Sequence, residues 1–300
     1  MLAPTIGIIS AGAMGAGIAA RLTAGGCTVL TDLGNRSAST RKRAQEAGML
    51  DASLSEICTR SHWILSILPP SDARSLAQQF LDAGLDKSTA RYVDCNAISP
   101  ETTRGIAQLL KDAAPRTPYL DAGIIGGPPK GDYEPALYAS AEERWEAEGV
   151  LQEFGQLKSF GLPVKILPGA GVGGASALKL SYAGIMKGLS GLMITMILSA
   201  HADSPATADA LMSELAHSGP SLLARSELAL KGSQPKAYRF VGEMEEIAAF
   251  IDSGLGDNGP GQIFEGMAKL YARLAESVKS GKGDVEVLDD WVDKVKKMRE

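Results

Sequence analysis

The chain is poor in cysteine, histidine and aromatic residues, and each shortage excludes a class of protein. Among 300 residues there are three cysteines and three histidines, and aromatic residues make up 5%. The cysteines, Cys27, Cys58 and Cys95, are odd in number and far apart, so we expect neither a disulfide framework nor a metal site. This cysteine usage is typical of a protein in a reducing compartment.

The chain also lacks an excess of positive charge and a long apolar run. Thirty lysines and arginines face 35 acidic residues, for a net charge of −5, which excludes a generally basic nucleic-acid binder. The longest apolar run, over residues 188–200, is shorter than the roughly 20 residues that cross a bilayer. No basic segment typical of a signal peptide precedes the first predicted strand. We expect a cytoplasmic protein with no membrane or nucleic-acid partner.

Length and pattern predict two domains. Hydrophobic residues make up 45% of the chain, enough for sizeable cores at about 150 residues per domain. Residues 1–168 alternate short β-rich runs with helical stretches, which predicts a parallel sheet covered by helices on both faces. Residues 169–300 begin with a glycine-rich segment and one long helix over about 173–201, and are otherwise mostly helical. On the last helix, an apolar face that ends at Met298 is predicted to be buried. The sequence therefore predicts an α/β domain and an all-α domain joined by a long interdomain helix.

A glycine-rich turn follows the first predicted strand. Gly12 and Gly15 occupy two of the three positions at which dinucleotide-binding folds bring backbone N–H groups to a pyrophosphate, while Ser10 occupies the first. Asp32 follows the second strand, where an acidic residue can bind the ribose 2′-hydroxyl. A glycine-rich turn alone can also be purely structural. Its position between strand and helix, together with Asp32, favours a Rossmann-type domain that binds NAD or NADP.

The choice between the two cofactors rests on the loop after the second strand. Asp32 favours NAD, whereas Arg36 and Ser37 could hold the 2′-phosphate of NADP through charge-assisted hydrogen bonds. Thr40, Arg41, Lys42 and Arg43 lie nearby and could contribute, but for most of this basic run a solvated helix face is the simpler explanation. We favour NADP slightly and leave NAD open.

Four segments, in order, resemble the β-hydroxyacid dehydrogenase superfamily, which includes 6-phosphogluconate and 3-hydroxyisobutyrate dehydrogenases. They are GIISAGAMGAGIAARL, DCNAISPETT, DAGIIGGPP and GGASALKLSYAGIMKG. A fifth, EMEEIA, resembles a subgroup with a phosphogluconate-dehydrogenase-like C-terminal domain of unassigned role. The resemblance spans residues 6 to about 275. It implies a Rossmann-type domain, a helical second domain, an active site in the cleft between them, and homodimerisation through the helical domains.

The resemblance also implies roles for individual residues. The family's cofactor-binding turn is matched by Gly12, Ala13, Met14 and Gly15. Leu68 and Pro69 match the loop beside the cofactor, and Asn96 matches the position that flanks the nicotinamide. Gly126 and Gly127 match the glycine pair whose backbone receives the substrate carboxylate, and Lys179 matches the general acid/base lysine.

Three positions depart from the family pattern. Ile125 replaces the usual serine before the glycine pair, Ala183 replaces an asparagine, and Glu245 aligns best with a second lysine. These changes remove polar contacts to substrate and argue against a simple 3-hydroxy acid. Glu245 is also readily explained as a surface carboxylate; inside a cleft it would tolerate an amine.

Lys179 carries the predicted chemistry. A lysine acts as a base near neutral pH only if burial or a nearby cation lowers its pKa. Apolar neighbours, among them Ile185, indicate a mostly buried helix, although most lysines lie on the surface. Lys187 and Ala183 follow at i+8 and i+4, so Lys187 is a candidate cation and Ala183 leaves room for substrate.

The sequence thus predicts an NAD(P)-dependent oxidoreductase that interconverts a small hydroxy compound, most simply a hydroxy acid, and its oxo form. Two alternatives stay open: an imine or amine oxidoreductase on the same fold, and a cofactor-binding module without turnover.

Overall fold

A computed structural model describes residues 2–256 and 259–299. The chain divides into two compact units, Met1–Lys179 and Leu180–Glu300. The division falls inside a long helix, a short way beyond the glycine-rich segment at which the sequence analysis places the boundary.

The first unit alternates strands and helices. Its strands are β1 (Thr5–Ile9), β2 (Thr28–Thr31), β3 (Leu50–Asp51), β4 (Trp63–Ser66), β5 (Arg91–Asp94), β6 (Tyr119–Ile125), β7 (Ala136–Ala141) and β8 (Val164–Ile166). Its helices are α1 (Ala13–Ala24), α2 (Ala38–Glu46), α3 (Leu54–Arg60), α4 (Ala73–Asp82), α5 (Pro100–Ala113), α6 (Glu143–Ala147) and α7 (Val150–Gly155). Short 3₁₀ turns occur at Pro70–Asp72, Leu85–Lys87 and Gln156–Phe160.

The strands form one sheet in the order β3-β2-β1-β4-β5-β6-β7-β8. Neighbouring strands are parallel except for β6 and β7, so the prediction of a parallel sheet is wrong at this one pair. The reason is the connection: residues 126–135 contain no helix and fold back through a bridge between Lys130 and Tyr133. A parallel return would need a longer crossover. The predictions also omit β3 and α3, although Ser53 and Glu56 form a capping box at the start of α3.

Both faces of the sheet are buried. Successive residues of a strand point to opposite faces, so Trp63 and Leu65 of β4 enter one apolar cluster and Ile64 enters the other. Strands that are covered on both sides carry nearly continuous apolar runs, which is why β1 and β4 are recognisable in the sequence.

The second unit is helical. The long helix α8 (Gly174–Asp203) starts in the first unit and is followed by α9 (Pro205–Ser218), α10 (Pro220–Ser233), α11 (Ala237–Leu255), α12 (Gln262–Ser280) and α13 (Asp284–Arg299), with a 3₁₀ turn at Gln234–Lys236. The prediction of one uninterrupted helix after the glycine-rich segment is confirmed. In α13 the core contains Trp291 and Val295, but Met298 is exposed, because the predicted apolar face turns out of the core in the last turn.

By length and composition alone, the helix α8 is long and apolar enough to cross a membrane, and one third of its most apolar stretch is buried. Core helices of soluble proteins pass the same test, so one such helix is weak evidence of a membrane protein.

Gly123 in β6 allows the start of α8 to lie directly on the sheet. A Cβ atom at this position would lie 2.7 Å from the Ala175 carbonyl oxygen and 3.3 Å from the Lys179 Cβ. The absence of a side chain therefore fixes the distance between β6 and α8, and with it the position of Lys179.

We expect Gly123→Ala to lower the melting temperature measured by calorimetry. The added methyl group overlaps backbone, and overpacking of this kind costs about 1–3 kcal/mol, or several degrees. The control is Gly242→Ala in α11, where a Cβ meets nothing within 4 Å and an alanine should stabilise the helix slightly. Equal melting temperatures for Gly123→Ala and wild type would contradict this account of the packing.

Candidate functional site

The glycine turn between β1 and α1 leaves the helix N-terminus open. Gly12 is the N-cap of α1 and no side chain caps this helix, whereas Ser37, Ser53 and Ser99 cap α2, α3 and α5. A Cβ at Gly12 would have only the Ser10 Oγ near it, at 4.0 Å. A helix N-terminus with free N–H groups and open space in front attracts an anion.

Gly15 has a different reason to be glycine. A Cβ there would overlap the Ser10 carbonyl oxygen, so Gly15 is required for α1 to pack against the turn. Ala13 is exposed, and Met14 packs against the core of the first unit. The four turn residues named from the sequence therefore lie together, with open space at Gly12 and Ala13 and close packing at Met14 and Gly15.

The loop after β2 carries the charged residues that bear on cofactor choice. The Asp32 carboxylate accepts a hydrogen bond of 2.8 Å from the Gly34 N–H. Ser37 begins α2, and its hydroxyl accepts from the Thr40 N–H. The Arg36 side chain is exposed. Asp32 and Ser37 are thus already engaged in shaping the loop, which the sequence does not reveal.

Asn96 is buried and joins two loops at the carboxyl end of the sheet. Its Oδ1 accepts from the Leu68 N–H at 2.7 Å, and its Nδ2 donates to the Ser66 hydroxyl at 2.7 Å. Pro69 follows Leu68 and is exposed. Asn96 therefore positions the loop of Leu68 and Pro69, in addition to any contact with a ligand.

A row of buried polar side chains crosses four neighbouring strands. Ser66, Asp94, Asp121 and Ser140 are register partners on β4, β5, β6 and β7, and each is at most 2% exposed. We call these four residues the polar row. This alignment depends on the register between strands, which the sequence alone does not indicate.

The two carboxylates of the polar row differ in their partners. Asp121 accepts from the Ser176 N–H at 3.0 Å and the Ser176 hydroxyl at 2.7 Å, and so holds the first turn of α8. Asp94 accepts from the Asn96 N–H at 2.9 Å, while its Oδ2 has no hydrogen-bond partner in the described chain. Burial raises the pKa of both groups, and that of Asp94 to about 7.

Lys179 lies on α8 next to this pair of acids. Burial lowers its pKa, while the charges of Cys95, Asp94 and Asp121 act in the opposite direction. A lowered pKa is the direction that a lysine base requires. The structure therefore brings Lys179, Asp94 and Asp121 together within the first unit.

The glycine pair after β6 already has a protein partner. The Gly127 N–H donates to the Tyr133 hydroxyl at 3.2 Å. Gly126 has a φ of +132°, and a Cβ there would overlap the same hydroxyl. Ile125 is the last residue of β6. Tyr133 is missing from the predicted site, although an aromatic residue in the loop after the glycine pair could have suggested it.

The remaining predicted substrate residues lie in the second unit. Lys187 donates to the carboxylate of Glu243, and its Nζ lies 5.0 Å from the centre of the Phe240 ring. Glu245 is exposed on α11, and Ala183 is partly buried. The structure thus brings Glu243, rather than Glu245, to Lys187. Within the described residues no cluster of three or more metal-ligating side chains occurs.

These features define a class of protein. A parallel-sheet domain with an open glycine turn between its first strand and helix, followed by a helical region, is the fold of the 3-hydroxyacid dehydrogenases. The chain belongs to the family described as the NAD binding domain of 6-phosphogluconate dehydrogenase, whose model matches residues 5–162. Residues 202–274 match a domain of unknown function, DUF1932. The family resemblance and the Rossmann-type fold are therefore confirmed.

Solved structures share this fold at low sequence identity. The conserved protein MTH1747, described as similar to 3-hydroxyacid dehydrogenases, is 24% identical with a TM-score of 0.73, over 93% of this chain and 100% of that one. The 3-hydroxyisobutyrate dehydrogenase of Mycobacterium tuberculosis is 16% identical (TM-score 0.64, 96% and 98% covered). The imine reductase of Myxococcus stipitatus in complex with NADP⁺ is 20% identical (TM-score 0.51, 96% and 100% covered). A comparison with curated protein sequences finds no match.

We expect Asp94→Asn to flatten the dependence of stability on pH. The folded state raises the pKa of Asp94 to about 7, so it binds this proton more tightly than the unfolded chain, and stability is lost as pH rises from about 4 through 7. The variant cannot ionise there. The difference in melting temperature, variant minus wild type, should therefore increase by a few degrees as pH is raised from about 5 to 8.

Asp112→Asn, at an exposed position of α5, is the control for loss of one negative charge. If both variants change in parallel with pH, burial of Asp94 does not govern the effect.

Proposed function

We propose that the protein is an NAD(P)-dependent oxidoreductase that interconverts a small hydroxy compound, such as a hydroxy acid, and its oxo form, with Lys179 as general acid/base. The observation that carries the proposal is the position of Lys179, partly buried beside Asp94 and Asp121 and with a lowered pKa, in the same unit as an open glycine turn. A protein that only bound a nucleotide would have no need to hold a partly buried lysine beside two buried carboxylates, because withdrawing these charges from solvent is costly.

The glycine turn fits a dinucleotide. The uncapped N-terminus of α1 would hold the pyrophosphate, and the open space at Gly12 lets a phosphate approach the backbone. Leu68, Pro69 and Asn96 would line the nicotinamide side. When bound, NAD(P) supplies the acceptor or donor of the hydride.

Gly12→Val should weaken nicotinamide cofactor binding by about 2–4 kcal/mol while leaving the fold intact. The Gly12 backbone (φ −66°, ψ −179°) suits any residue, and the new side chain meets open space rather than protein. The measurement is titration calorimetry with reduced cofactor, next to a melting curve. Ala20→Val, on the exposed face of α1, is the control. An unchanged cofactor Kd in the folded Gly12→Val variant is incompatible with the proposed site.

Lys179 would move the proton of the reaction. As a neutral amine, its Nζ accepts the proton of the substrate hydroxyl during oxidation; as an ammonium, it returns the proton to the oxo group during reduction. Burial favours the neutral form, and the nearby carboxylates of Asp94 and Asp121 favour the ammonium. These two influences oppose each other at the amine, and a pKa lowered from the ordinary value is the direction that a lysine base requires.

Lys179→Met should lower kcat by about 10²–10⁴-fold and leave the cofactor Kd within a few-fold of wild type. Methionine keeps the length and apolar contacts of the side chain but cannot carry a proton. Turnover is followed by the absorbance of the reduced nicotinamide, over a panel of hydroxy acids, aldehydes and imines with both cofactors. The matched control is Lys187→Met, for which we expect a smaller effect, mainly on KM. Turnover of Lys179→Met close to wild type would show that the lysine is structural.

An imine or amine oxidoreductase is the second candidate. Ile125 and Ala183 replace polar residues that the family resemblance implies, and Glu245 replaces a cation, so an anionic substrate has fewer partners here. The fold is shared with an imine reductase. Reduction of imines, but not of oxo acids, in the same panel would favour this candidate. Cofactor binding without turnover of any compound would instead favour the third alternative, a cofactor-binding module without catalytic activity.

For the substrate, we propose contacts from the glycine pair Gly126 and Gly127, from Ile125, and from Ala183, Lys187 and Glu245. For the cofactor, we favour NADP, because Arg36 is exposed in the loop after β2 with Ser37 beside it, and keep NAD as the alternative through Asp32. A cytoplasmic location without membrane or nucleic-acid partners remains a prediction.

We also propose a homodimer that covers an apolar stripe of α8. Tyr182, Ile185, Leu192 and Met196 lie along one side of the helix and are 48–70% exposed, so the prediction that Ile185 is buried is wrong for the single chain. Large apolar stripes of this kind mark interfaces.

Analytical sedimentation should therefore show a dimer at micromolar concentration. Leu192→Glu should shift the protein toward monomer, because it places a charge in the proposed interface. Leu228→Glu, at a 73% exposed position on α10, should leave the mass unchanged. A wild-type monomer would rule out the dimer.

A further inference from the structure

The place of Arg43 in a basic run suggests that its side chain extends into solvent, but it does not. Its guanidinium folds back onto the glycine turn, where Nε donates to the Ala11 carbonyl oxygen at 3.1 Å. Its Nη2 donates to the Thr40 hydroxyl at 3.2 Å. The residue is partly buried. Arg43 therefore joins the turn between β1 and α1 to the start of α2.

The other two residues of the basic run behave differently. Lys42 is exposed and forms a helix-surface ion pair with Glu46, with 3.8 Å between Nζ and Oε1. Arg41 donates to the carbonyl oxygens of Gly34 and Arg36 and so closes the loop after β2. Among the ion pairs of residues 2–256 and 259–299, none includes Arg43. Its positive charge is therefore held in place by neutral groups.

The position of this charge is informative because of the fold. In a Rossmann-type domain, the adenosine ribose of the cofactor lies between the first glycine turn and the carboxyl end of β2. Arg43 connects these two segments through Ala11 on one side and Thr40 on the other, and the Thr40 hydroxyl lies 3.0 Å from the Ser37 hydroxyl. Nη1 has no hydrogen-bond partner within the described chain.

We propose that Arg43 is a specificity residue that donates a charge-assisted hydrogen bond to the 2′-phosphate of NADP, alongside Arg36. The proposal rests on the proposed use of a nicotinamide cofactor. A guanidinium fits a phosphate because its planar set of donors matches the phosphate oxygens. The bonds to Ala11 and Thr40 hold the guanidinium before the ligand arrives, so little side-chain freedom is lost on binding.

The test compares two small probes that differ in the 2′-phosphate: adenosine 2′,5′-bisphosphate, which carries it, and ADP, which does not. Each is titrated by calorimetry into the full-length protein. The variants are Arg43→Gln, which keeps hydrogen-bond donors but no charge, and Lys42→Gln, which removes the same charge from the adjacent residue.

We expect Arg43→Gln to weaken binding of the bisphosphate by about 10- to 100-fold, the range for a hydrogen bond to a charged group, and binding of ADP by less than about threefold. Lys42→Gln should change either Kd by less than about threefold. Arg36→Ala should resemble Arg43→Gln. If Arg43→Gln does not fold, Arg43→Lys replaces it; it keeps the charge without the planar donors, and we expect a smaller loss confined to the bisphosphate.

Other outcomes overturn the proposal in distinguishable ways. An equal loss for both probes, with the melting temperature kept, shows that Arg43 only shapes the turn. A loss with Arg36→Ala but not with the Arg43 variants leaves NADP use intact and removes Arg43 from it. A wild-type protein that binds ADP at least as tightly as the bisphosphate excludes a 2′-phosphate site and leaves NAD as the cofactor. A folded wild type that binds neither probe nor cofactor overturns the proposed function itself.

Discussion

The close packing of α8 on β6 is the contact on which the arrangement of the candidate site depends. Gly123 removes the side chain that would separate the two elements, and Asp121 holds the first turn of the helix through both the N–H and the hydroxyl of Ser176. Buried carboxylates are tolerated where such donors compensate them. Because Lys179 follows within a turn of Ser176, the same contacts bring its amine beside the acids of the sheet. Gly123 thus helps to determine where Lys179 lies in the candidate site.

Much of this fold can be predicted from the sequence, because local patterns determine it. Apolar runs identify β1 and β4, and the glycine segment that precedes an unbroken apolar stretch identifies α8. The direction of β7 cannot be predicted in this way, because it depends on a connection without a helix. β3 is not predicted because a strand of two residues is too short to show the alternating apolar pattern of a strand.

The candidate site is predictable only where a motif specifies it. Gly12 and Lys179 follow from motifs, but the roles of Glu243, Tyr133 and Arg43 depend on side-chain directions in the folded chain. The polar row is a matter of register: Asp94 and Asp121 stand 27 positions apart in the sequence and become neighbours only because β5 and β6 pair at these residues. No spacing rule along the chain gives that alignment.

The Tyr133 hydroxyl already accepts a hydrogen bond from the Gly127 N–H of the glycine pair. A carboxylate that bound to this N–H would have to displace the hydroxyl of Tyr133, which lies eight residues after the end of β6, so its binding would exchange one acceptor for another. The free energy of such an exchange is the difference between two hydrogen bonds and is smaller than either. Selectivity then comes from charge, since an anion gains more from the N–H than a phenol does. A neutral ligand would have no such advantage over the Tyr133 hydroxyl, which already accepts this hydrogen bond.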